Sequence, residues 1–145
     1  MSDLSNDTVF WRMFNERTIA EPDFGHEAHL RAAYLVIQHH GFESALPAMR
    51  NGLRELLANA QRDGYEPKTG YHETITVFWL RTVHRLMGGR TFADSNAFVR
   101  SSPELLDKRL MLRHYSKDRL MSDAARAAFI EPDLAPLPEL PTLAD

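Results

Sequence analysis

The chain has 145 residues, of which 43% are apolar and 26% charged; this is ordinary composition for one globular domain with a buried core, and it argues against a disordered chain. Seventeen Lys and Arg against twenty Asp and Glu leave a net charge of −3, so a whole-domain basic footprint for nucleic acid is missing. There is no cysteine, which excludes disulfides, thiolate metal sites and cysteine nucleophiles.

Apolar residues recur at helical rather than alternating spacing along most of the chain, so the expected class is all-α, a single compact bundle-like domain of five to seven helices. A first helix is predicted from about Asp7 to Arg17, with Asn6 or Asp7 as its cap. A second runs from about Gly25 to His40 and stops at Gly41. The third covers about Ser44 to Arg62, with Pro47 in its first turn, where a missing N–H does little harm. Asp63 to Gly70 reads as a loop. The fourth helix spans about His72 to Met87 and ends at Gly88-Gly89, and a shorter one covers Thr91 to Arg100. Ser102-Pro103 is a strong start signal for a helix expected to continue to His114. Ser122 to Phe129 forms a last short helix. Residues 1–130 are then the helical domain, and 131–145 a Pro/Leu-rich acidic tail that packs on it or extends from it. Leu134, Leu137 and Leu140 interleave with its four prolines.

No apolar run approaches the length of a membrane span. The polar, acidic start MSDLSND is unlike a signal peptide, so the expected setting is cytoplasmic, without membrane or nucleic-acid partners. Nothing in the sequence opposes a homo-oligomer.

Histidines carry the chemical signal. The inward stripe of the second helix reads His26, His29, Leu30, Ala33, Val36 and Ile37. It puts two imidazoles one turn apart on the buried side, a spacing able to serve one metal ion. The fourth helix opens with His72 on its inward stripe and Glu73 beside it. If the two helices pack together, three imidazoles and a carboxylate meet, a donor set suited to Zn, Fe, Mn or Cu. His114 and Tyr115 close another helix and read as proton donors near the mouth of such a site. His39 and His40 compensate the end of the second helix, and His84 lies off the stripe. Arg31 and Arg81 are able to pair with a buried carboxylate or an anionic ligand, but a surface place is the stronger expectation for both.

Four signatures occur in order: Phe24-x-His26-x-x-His29-Leu30-Arg31, Tyr71-His72-Glu73-Thr74-x-Thr76-x-x-Trp79, Leu112-x-His114-Tyr115-Ser116, and Pro132-Asp133-Leu134-x-Pro136-Leu137-Pro138. In this the chain resembles a group of small uncharacterised bacterial proteins, all-helical, with the same signatures in the same order. The resemblance covers residues 24 to 138 and implies that the histidine-bearing segments and the tail form one unit. It implies no activity.

The leading expectation is a metal-dependent enzyme acting on a small molecule by hydrolytic or oxygen-dependent chemistry. His26, His29 and His72 would hold a divalent first-row transition metal, and Glu73, His114 and Tyr115 would serve as catalytic groups. The alternative is a non-enzymatic small-molecule-binding or regulatory module in which the same residues form a polar pocket wall. In a third reading the histidines are structural and the tail docks a partner.

Overall fold

A computed structural model of the chain describes residues 3–64 and 70–139. Four longer helices come first: α1 (Asp7–Glu16), α2 (His26–His40), α3 (Phe42–Arg62) and α4 (Glu73–Met87). Four short ones follow: α5 (Ser95–Arg100), α6 (Pro103–Leu106), α7 (Lys117–Leu120) and α8 (Asp123–Ala127). Single 3-10 turns occur at Glu21–Asp23 and Leu110–Arg113. Among the described residues there is no strand, and the class is all-α. No helix among them is long and apolar enough to cross a membrane.

α2 is the axis of the molecule. It packs against α3, α4 and α5, and α4 in turn carries α3 and α8. From Leu30 to Ile37 every residue of α2 is buried, so this stretch is enclosed on all sides and has no solvent face to match the one-sided stripe expected from sequence. Arg31 is therefore buried, contrary to expectation. Its Nε donates to Ser95 Oγ at 2.8 Å and its Nη2 to Asp7 Oδ1 at 3.2 Å, while the guanidinium lies 4.2 Å from the Phe10 ring centroid. Asp7 also accepts the Ser95 N–H and hydroxyl, at 2.8 and 2.5 Å. The result is a hydrogen-bonded ion pair that ties α1, α2 and α5 together, the condition under which a charge tolerates burial.

α1 lies close to α3 because Gly52 is there. A Cβ at Gly52 would come within 2.5 Å of the Phe14 ring, which is itself buried. Gly41 joins α2 to α3 at φ +82°, a conformation that favours glycine. α3 starts at Phe42, two residues earlier than expected, and this moves Pro47 beyond the first turn. There its missing N–H leaves the carbonyl one turn back without its helical donor.

The chain beyond residue 100 departs from expectation in two places. The helix predicted from Ser102 to His114 stops at Leu106. Asp107 is extended, and its carboxylate accepts the Arg109 N–H at 3.0 Å; an aspartate side chain here offers the backbone an alternative to the helical ladder. α7 had no sequence prediction. It is one turn, capped by Ser116, whose side chain accepts from the Arg119 N–H.

Candidate functional site

The site follows from the lengths and directions of three helices. α2, α3 and α4 run alternately up and down, so the start of α2, the end of α3 and the start of α4 meet at one end of the bundle. α3 has 21 residues against 15 in each neighbour, an excess of about 9 Å at 1.5 Å per residue. Its last turns therefore have apolar side chains with no helix opposite to fill the space. The connection between α1 and α2 closes over part of this end through Ile19 and Phe24, and a cavity of about 350 Å³ remains. Leu53, Leu56 and Leu57 of α3 and Ile75 of α4 form its apolar walls. The size lies within the range of small-molecule pockets. Two larger depressions, each about 530 Å³, lie over Arg17–Asp63 and over His26–Lys108; neither is lined by His29.

His29 projects into this cavity from the first turns of α2, tilted against Phe24 at 6.0 Å between ring centroids. Its ring makes no hydrogen bond to any described residue. Burial, reinforced by the neighbouring His26, pushes its pKa down to about 4, so the ring is neutral near pH 7 and offers one donor and one acceptor. Tyr71 and Thr76 add hydroxyls to the wall, and Glu21 puts a carboxylate at the exposed rim.

Tyr71 is held from behind. Its hydroxyl donates to Glu73 Oε1 at 2.6 Å, and Arg54 lies over its ring at 4.8 Å. Burial and the adjacent Glu73 carboxylate raise its pKa to about 12. Glu73 is gripped at both oxygens by Arg50, at 2.9 and 2.5 Å, and the guanidinium holds its carboxyl below the usual range. Arg50 has no mark in the sequence, and Tyr71 only its place in the second signature; their roles come from α3 and α4 lying side by side.

The structure does not gather the expected metal ligands. His72 caps α4. Its Nδ1 accepts the Ile75 N–H at 3.1 Å, which fixes the proton on Nε2, and that N–H donates to Leu120 O at 2.6 Å. Neither nitrogen keeps a free lone pair. His72 borders the cavity with its ring already occupied on both sides, and burial lowers its pKa. His26 points elsewhere: its Nε2 donates to Leu105 O at 2.8 Å, and its ring packs edge-on against Trp79 at 4.9 Å. Among the described residues no group of three or more His, Asp or Glu is placed to hold a metal ion. The three imidazoles and Glu73 therefore do not form the donor set that their spacing suggested. His72, Glu73 and the Nε2 of His26 are instead engaged by other partners, and His29 is not.

His114 and Tyr115 are not at the cavity either. They fasten the tail, the Tyr115 hydroxyl donating to Ile130 O at 2.6 Å. His114 Nδ1–H lies between Ala135 O and Pro136 O, at 3.2 and 3.1 Å, and the His114 carbonyl accepts the Leu134 N–H at 2.8 Å. Asp133 accepts the Ser116 N–H, Arg119 donates to Glu131 O, and Thr74 links Ala128 to Ile130. Up to Glu139 the tail thus lies on the domain; Leu140 and the residues after it fall outside the described residues, as do residues 65–69 of the expected loop. His39 stacks on Trp11 at 4.4 Å and His84 on Phe42 at 4.1 Å. Arg81 Nε is buried with no hydrogen-bond partner among the described residues.

No family model matches the chain, and neither a curated protein nor a solved structure matches it.

Proposed function

We propose that the protein is a small-molecule-binding helical module whose ligand seats in the cavity between α2, α3 and α4. The observation that carries this reading is His29. A neutral, partly buried imidazole lines a cavity of ligand size, among leucine and isoleucine side chains, and makes no hydrogen bond to a described residue, although polar groups turned away from bulk water are as a rule hydrogen-bonded. A bound ligand would supply that partner. The other polar groups of this end are fixed to one another, which pre-organises the wall behind the ligand. A metal-dependent reaction draws no support from these side chains, because both nitrogens of His72 and both oxygens of Glu73 are already hydrogen-bonded and His26 is turned to Leu105.

Titration with fluorescent naphthylamine dyes tests the reading. At least one dye is expected to bind saturably with about one site per chain, and binding is expected to disappear in Ile75→Trp, which fills the cavity. Circular dichroism checks that the variant remains folded, and Leu56→Trp provides a second filling variant. Dye binding that is absent, or that survives in both folded variants, would place the ligand site elsewhere.

A further inference from the structure

Resting on that reading, we infer that the cavity selects an uncharged, largely apolar molecule with one polar group, which hydrogen-bonds to His29. The argument is one of charge. Among the described residues no Lys or Arg lines the cavity. On α3, Arg50 is held by both oxygens of Glu73, and Arg54 is exposed and lies over the face of Tyr71. An anionic group carried inside would find no counterion among the described lining residues and would pass the Glu21 carboxylate at the rim. A cation would exchange its water for leucine and isoleucine walls and a neutral imidazole, with the exposed Glu21 as the only carboxylate among the described lining residues. Either charge would be desolvated without a partner, which is far costlier than burying a neutral polar group that finds a hydrogen bond. His29 meets the neutral case, since an uncharged imidazole answers a hydroxyl, a carbonyl or an amine N–H equally. The groups facing it are His26 on its own helix, Tyr71 and His72 before α4, and Glu21 on the α1–α2 connection.

A matched dye pair isolates the charge. N-phenyl-1-naphthylamine is neutral; 8-anilino-1-naphthalenesulfonate has the same ring skeleton with one added sulfonate. At pH 7.5 the neutral dye is expected to bind at least tenfold more tightly, counting only binding that Ile75→Trp removes. 1-Naphthylmethylammonium is expected not to displace it. His29→Leu should weaken the neutral dye several-fold, and His29→Gln, which keeps a donor and an acceptor, should restore most of the loss. Equal or tighter cavity binding of the sulfonate, displacement by the cation, or indifference to His29→Leu would overturn the inference and leave the cavity a ligand site. Failure of every dye to bind in an Ile75-sensitive manner would overturn the proposed function along with it.

Discussion

His26, His29 and His72 share a residue type and an inward position, yet their chemistry differs through the partners each ring meets. His72 is an N-cap and a donor, His26 a donor to Leu105, and His29 a cavity wall. The last has a consequence for stability. Its folded pKa, about 4, lies below the ordinary value of 6.5, so as the pH falls the unfolded chain takes up this proton first. The stability is complete above pH 6.5 and is lost as the pH drops from 6.5 toward 4, by at most about 3 kcal/mol. Urea unfolding of the wild type across this window is expected to show that loss, and His29→Leu a flatter profile. Glu73 acts at lower pH. Arg50 depresses its pKa from 4.5, so its contribution is present above 4.5 and fades only below it. A wild-type profile that stays level between pH 6.5 and 4.5 would mean that His29 is solvated.

Helices pack here by making room for one another. Gly52 is a poor helix former, and alanine in its place gains about 1 kcal/mol of helix propensity. Its added Cβ nevertheless meets the buried Phe14 ring, and overpacking of this kind costs about 1–3 kcal/mol. Gly52→Ala is therefore expected to destabilise by about 1 kcal/mol net, read as a lower urea midpoint with an unchanged slope. Gly52→Ala combined with Phe14→Leu should be less destabilised than the sum of the single changes, because the two sites share one contact. A stabilised Gly52→Ala would show that α1 moves away from α3 without loss. The Asp7–Arg31–Ser95 cluster holds the first turn of α1, so the helix is fixed by a polar contact at its start and an apolar one near its end.

The whole molecule is completed by its tail. Residues 130–139 have no regular helix of their own, and Tyr115, His114, Ser116, Arg119 and Thr74 hold them by hydrogen bonds. Tyr115→Phe leaves the Ile130 carbonyl without its donor, at a cost of about 1 kcal/mol. Truncation after Phe129 removes the whole set of bonds and is expected to lower the thermal midpoint further than Tyr115→Phe does. Truncation without effect on the midpoint would detach the tail from the folding unit. The cavity lies at the end of the bundle formed by α2, α3 and α4, and His114 and Tyr115 do not line it, so neither change is expected to alter dye binding by protein that remains folded.

Periodicity and punctuation in the sequence determined the all-helical class and most helix limits, because caps such as Asn6, Ser102 and Gly88 and the 3.6-residue apolar repeat act over a few residues. The same local signal placed His29 on an inward stripe. It failed at Asp107, where a side chain competes with the helix backbone, and at Arg31, whose burial depends on a carboxylate 24 residues away. Only the tertiary structure decided which imidazole nitrogens are occupied, because Leu105 and Leu120 lie 79 and 48 residues from the histidines they bind. Only it opened the cavity, because the space results from the mismatch in length between α3 and its two neighbours once they pack.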